Sequence, residues 1–182
     1  MSKSYSVHRL NSFRAFRWFP LLGVLYLASA TSAETTAKTI DFQSFLEISV
    51  EVQSVRESRL LPVETFLELA HQPDTILIDT RSGPAYASMH LAGAVHLNLS
   101  DLTEETLRRV LGDPSTRVLI YCNNNFSDGL VPFATKAPAA ALNIPTFITL
   151  WTYGYQNVYE LGDLLELGDP RLTFEGDDVR TP

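Results

Sequence analysis

The chain holds one cysteine, Cys122, in the run Leu119-Ile120-Tyr121-Cys122-Asn123-Asn124-Asn125-Phe126-Ser127-Asp128. A thiol becomes a nucleophile when its thiolate is stabilised by a nearby cation or by several backbone N–H groups. A loop that curls back over the end of a strand supplies such groups, and asparagines tolerate the left-handed conformations the loop requires. Asn123, Asn124, Asn125, Phe126 and Ser127 are therefore the candidate ligand-binding cradle. Their amides could also donate to an oxyanion or to sulfur. Against this, the loop has no Lys or Arg, and its first charge, Asp128, disfavours ionisation of a neighbouring thiol. Lys136 is the nearest downstream cation. Two readings stay open from these residues: a placed nucleophile, or an inert thiol closing a buried strand. His90 and His96 stand in no protease-like context. His71, His90, His96 and Cys122 show no metal-ligand spacing, so no metal and no cofactor is expected.

The elements that position Cys122 read as strands alternating with helices. Residues 41–59 are polar with scattered apolar positions and read as a helix. Val63, Phe66, Leu67 and Ala70 recur at helical spacing after Pro62. Thr75 to Asp79 (TILID), Ala94 to Leu99 and Arg117 to Cys122 read as strands. Between the last two, Ser100 or Asp101 caps a helix that ends at Gly112. Pro145 opens a helix that Gly154 ends, and Asn157 to Leu161 is a last strand, with loop and exposed terminus from Gly162 onward. Apolar strands alternating with helices imply an α/β fold with a parallel sheet covered on both faces. Ligands in such folds sit beyond the carboxyl ends of the strands, which is where Cys122 falls.

The totals narrow the function. The chain has 182 residues, room for one ordinary domain, and a net charge of −7. Residues 1–33 hold four of the 14 basic side chains and none of the 21 acids, so the remainder carries net −11. That charge makes the chain a poor candidate for nucleic-acid binding, which needs clustered Lys and Arg. The N-terminus has a basic region ending at Arg17, an apolar stretch of 13 residues from Trp18 to Ala30, and small residues up to Ala33. This is a signal-peptide pattern with an apolar part short for a membrane span; cleavage is expected after Ala33 or Ala30, an uncleaved anchor being the alternative. A periplasmic or secreted protein with no stable membrane span is expected. The glycosylation pattern Asn125-Phe126-Ser127 inside the candidate site favours the periplasm, since a glycan there would block it.

Several blocks resemble one known family. Asp79-Thr80-Arg81, then His90-Leu91-Ala92-Gly93-Ala94, then RVLIYC, then the segment from Tyr153 to Leu161 (YGYQNVYEL) are similar in order and spacing to a single rhodanese-like domain. The resemblance implies a five-stranded parallel sheet flanked by helices. It implies that Cys122 carries sulfur as a persulfide between a small-molecule or protein-bound sulfane-sulfur donor and a thiol acceptor. It gives Asp79, Arg81 and His90 structural roles. The chain lacks the family's loop Arg, which points to a donor other than free thiosulfate, or to a catalytically weak binding module on the same fold. The implied organisation is a signal peptide at 1–33, a helical extension at 34–61, a rhodanese-like domain at 62–165 and a tail at 166–182.

Overall fold

The computed structural model describes residues 39–127 and 132–179. The expected signal peptide and Asp128 lie outside these residues. Helix α1 (Phe42–Arg56) opens the described chain, capped by the Asp41 side chain on Ser44 N–H. Then come β1 (Leu60–Leu61), α2 (Val63–Ala70), β2 (Thr75–Asp79), α3 (Gly83–Ser88), β3 (His90–Leu91) and β4 (Val95–His96). Helix α4 (Glu104–Leu111), β5 (Arg117–Tyr121), α5 (Asn143–Thr152), β6 (Val158–Leu161) and β7 (Phe174–Glu175) complete the order. Five strands form one sheet in the order β1-β6-β5-β2-β4, and every pair is parallel. No helix among the described residues is long and apolar enough to cross a membrane.

Strand period places the core. Successive β5 side chains point to opposite faces, so Val118 and Ile120 join one apolar cluster and Leu119 and Tyr121 the other. The first cluster lies under α1, α4 and α5 through Val52, Leu107, Leu111, Phe147 and Leu150. The second lies under α2 through Val63 and Phe66. Fully burying a side chain such as Leu119 is worth about 2 kcal/mol. With both faces covered, the central strands read as near-continuous apolar runs, which is why TILID and RVLIY were legible.

Several boundaries differ from the sequence reading. The strand expected over 94–99 shrinks to Val95–His96, because Leu99–Asp101 turn into a single 3-10 turn. Thr103, rather than Ser100 or Asp101, caps α4, exchanging hydrogen bonds with Thr106 in a capping box. Gly112 ends that helix at a φ of 73°, as expected of a glycine stop. Helix α5 begins two residues before Pro145, which sits in the first turn where its missing N–H costs nothing. The segment after Gly162 is not an exposed terminus. Leu165 is buried, and β7 pairs antiparallel with β3, His90 opposite Glu175.

Candidate active site

Cys122 is the residue immediately after β5, still extended, and is 2% exposed. It lies two positions after Ile120, so it falls on the α1/α5 side of the sheet. The chain then makes one 3-10 turn, Asn123–Asn125, and becomes extended again at Phe126, which bridges to Leu165. Ser127 N–H donates to Leu165 O at 2.9 Å, and Leu165 N–H donates to Asn125 O at 2.8 Å. The Asn125 backbone N–H points to the Cys122 side chain, while Asn125 O and Ser127 N–H are taken by Leu165.

The three asparagines are structural ties. Asn123 Nδ2 donates to Ala134 O at 2.7 Å, while its Oδ1 is buried without a hydrogen-bond partner. Asn124 pairs with the Lys136 backbone in both directions, at 2.7 and 3.0 Å. Asn125 Oδ1 accepts the Cys122 N–H at 2.9 Å, and its Nδ2 donates to Leu161 O and Asp163 O. Phe126 offers nothing to a ligand. It is fully buried on the α2 side with Tyr121, Phe133 and Phe174. The turn borders two clefts. One, of about 420 Å³, is lined by Thr80, Arg81, Ser82, Asn98, Asn123 and Lys136. The other, of about 200 Å³, contains Cys122 itself together with Arg56, Asn124, Asn125, Asn143 and Glu160.

Arg56 and Glu160 are what sequence reasoning missed. Arg56, on the last turn of α1, donates from Nε to Glu160 Oε1 at 2.5 Å and from Nη2 to Oε2 at 2.7 Å. Glu160 is completely buried on β6, while the Arg56 side chain is 35% exposed. The hydrogen bond to Glu160 raises the Arg56 pKa above its ordinary value; burial opposes the rise, and the charges of Glu160 and Cys122 add to it. So a cation does stand near the thiol, contributed by the N-terminal helix. The readable signal was strand parity. Glu160 is two residues after Val158 and directly opposite Ile120, both core positions on the α1 side. A carboxylate at an inward position needs a cation brought to it.

The remaining expected residues occupy a separate buried support. Arg81 Nε donates to Asp79 at 3.0 Å, its Nη2 to Asp79 and to Met89 O, and its guanidinium lies 4.0 Å from the Phe133 ring centre. Tyr121 OH donates to Asp79 Oδ2 and accepts the Leu91 N–H at 3.1 Å. The network fixes the turn after β2 against the end of β5, one residue short of Cys122. His90 donates from Nδ1 to Tyr86 O at 2.7 Å and stacks on the Tyr86 ring, and His96 donates from Nε2 to Arg81 O. Both rings hold backbone, and neither lines the cleft of Cys122. Among the described residues no group of three or more His, Cys, Asp or Glu could hold a metal ion.

Solved structures similar to this chain include a rhodanese with anions from E. coli, 20% identical, covering 57% of this chain and 99% of that one at a TM-score of 0.38. The Alr3790 protein from Anabaena sp. is 21% identical over 64% of this chain and 89% of its own, at a TM-score of 0.44. Protein hp1203 from Helicobacter pylori is 19% identical over 68% and 94%, at 0.42. Among curated proteins none matches. The family model for the rhodanese-like domain matches residues 62–162, more than half of the chain, and with the all-parallel sheet it establishes that this protein belongs to the rhodanese-like domain family.

Proposed function

We propose that the protein is an exported sulfurtransferase that carries sulfane sulfur as a persulfide on Cys122. The observation that carries this reading is the position of the chain's one thiol. It directly follows the central strand of a rhodanese-like sheet and borders a cleft of about 200 Å³. In the forward half-reaction the Cys122 thiolate attacks the outer sulfur of a donor. The new S–S bond forms as the bond from that sulfur to the donor breaks, and the donor fragment leaves with the electron pair. In the second half, an acceptor thiolate attacks the outer sulfur of the persulfide. The S–S bond breaks and the Cys122 thiolate is regenerated, with no net oxidant or reductant consumed. Arg56 is already paired with Glu160, so the cleft offers a doubly charged donor such as thiosulfate little net positive charge. A mono-anionic or protein-bound persulfide fits better.

Export rests on the basic, apolar and small-residue order of the first 33 residues. A mature N-terminus after Ala30 or Ala33, recovered from the periplasm of an expressing bacterium, is the expected result.

The test of the transfer is mass spectrometry of the mature protein after incubation with thiosulfate, polysulfide and a glutathione persulfide. One added sulfur atom on Cys122 with at least one donor, absent in Cys122→Ser, is the expected outcome. No adduct with any donor would overturn the proposal. It would favour the second reading, a binding module, for which the 2% exposure of Cys122 speaks.

A further inference from the structure

We propose that Arg56 is the charge-positioning residue of the Cys122 site, so that the cation serving the thiol is supplied by α1, from outside the family-matched segment. The inference rests on the reading of Cys122 as a sulfur carrier and names what tunes it. Three observations carry it.

The first is placement. Arg56, Cys122 and Glu160 line the same cleft of about 200 Å³. Their common side follows from backbone parity on β5 and β6 and from the packing of α1 on that face through Val52. The second is the hydrogen-bond inventory of the guanidinium. Glu160 takes Nε and Nη2, and Nη1 has no hydrogen-bond partner among the described residues. With the side chain 35% exposed, the head bridges from a completely buried carboxylate to an open cleft. The third is that, among the described residues, Arg56 is the one Lys or Arg lining that cleft. Residues 122–127 hold no Arg, and Lys136 borders the other cleft.

Glu160 has a definite part in this. A guanidinium beside a thiol on a long flexible stem would sample many rotamers. Bidentate pairing with a rigid strand carboxylate holds it in one place. Glu160 also opposes thiolate formation by its own charge, and this gives the proposal its sharpest consequence. Removing Arg56 and removing Glu160 must move the thiol in opposite directions.

The experiment is alkylation of Cys122 by iodoacetamide as a function of pH, on the mature chain, with no sulfur donor present. It therefore reads the thiol whether or not sulfur transfer occurs. Arg56→Gln is expected to raise the midpoint, and alkylation at neutral pH slows about tenfold for each pH unit the midpoint rises. Glu160→Gln is expected to lower the midpoint and speed alkylation. Arg56→Lys should restore part of the wild-type profile.

Arg56→Gln leaves a buried carboxylate unpaired and is the variant most exposed to misfolding. The comparison of Glu160→Gln with the double variant Arg56→Gln/Glu160→Gln avoids that, since neither contains the carboxylate. Slower alkylation in the double variant supports the proposal. Equal midpoints in that comparison, or midpoints moving the same way in both single variants, would overturn it while leaving sulfur transfer by Cys122 to be decided by the mass measurement.

Discussion

Asn125 holds Cys122 at both ends of a capping box: its backbone N–H points to the Cys122 side chain, its Oδ1 accepts the Cys122 N–H at 2.9 Å, and its Nδ2 donates to Leu161 O at 2.8 Å. One amide thus ties the carboxyl ends of β5 and β6, the strands that carry Cys122 and Glu160. Asn125→Ala leaves a buried N–H and a buried carbonyl without partners, and is expected to cost about 2–4 kcal/mol. Urea denaturation of the two proteins measures it. A loss under about half a kilocalorie per mole would mean that the tie is dispensable.

Tyr121 gives an alkaline signature. Its phenol is held well above the ordinary value, first by desolvation and then by the charge of Asp79. The folded state keeps this proton at pH values where the unfolded chain has lost it. The contribution is therefore complete below the unfolded pKa of about 10 and declines above it, by up to about 1.4 kcal/mol per pH unit. Tyr121→Phe should be less stable at neutral pH, having lost the bond to Asp79, yet show a shallower alkaline decline. Parallel declines in both proteins would contradict this assignment.

Replacing Arg81 by Ala strands the buried Asp79 carboxylate and frees Met89 O and Pro132 O. The expected loss is about 3–5 kcal/mol, as for other broken buried pairs. Arg81→Lys cannot reproduce the forked contacts and should recover only part of it. Thermal or urea melts of the two variants make the comparison.

Asp169 sits at a pKa of about 2, lowered chiefly by the hydrogen bond from Arg171. Its contribution to stability is present above the ordinary carboxylate pKa near about 4 and is lost as pH falls towards about 2. In Arg171→Gln the carboxyl should titrate higher, while still held below its ordinary value by the backbone N–H of residue 171, a shift observable by NMR. An unchanged titration would show that the backbone N–H of Arg171 alone sets it.

Gly176 reports on the C-terminal ribbon. Its φ is 133°, and a Cβ there would lie 2.5 Å from Ser88 O. Gly176→Ala must push the segment after β7 away from α3, breaking the Asp177 N–H bond to Ala87 O. A lower melting temperature and faster proteolysis beyond residue 170 are expected.

The sheet was legible because its central strands are buried on both faces, so that β2 and β5 read as unbroken apolar runs. Cys122 was legible as the residue after one of them. The function of the asparagines was not, because an amide suited to curling a loop is equally suited to capturing a distant carbonyl, and only the position of residues 134–136 and 161–165 decides. Arg56 was hidden by separation: it is remote in sequence and belongs to a helix whose pattern points to packing. Glu160 could have been found, since a carboxylate in phase with Val158 demands a buried partner. The ribbon of β3 and β7 was missed because two-residue strands leave no period to read.

Arg56 with Glu160, Val63 N–H with Asp163, and Arg171 with Glu64 join residues 56–64 to 160–171. A ribosome makes the first group about a hundred residues before the second. Until the last quarter of the chain emerges, β1 lacks its neighbour β6, Arg56 lacks Glu160, and the Cys122 cleft lacks one wall. The order of synthesis therefore leaves the thiol site without Glu160 until β6, which also pairs with the edge strand β1, has been made.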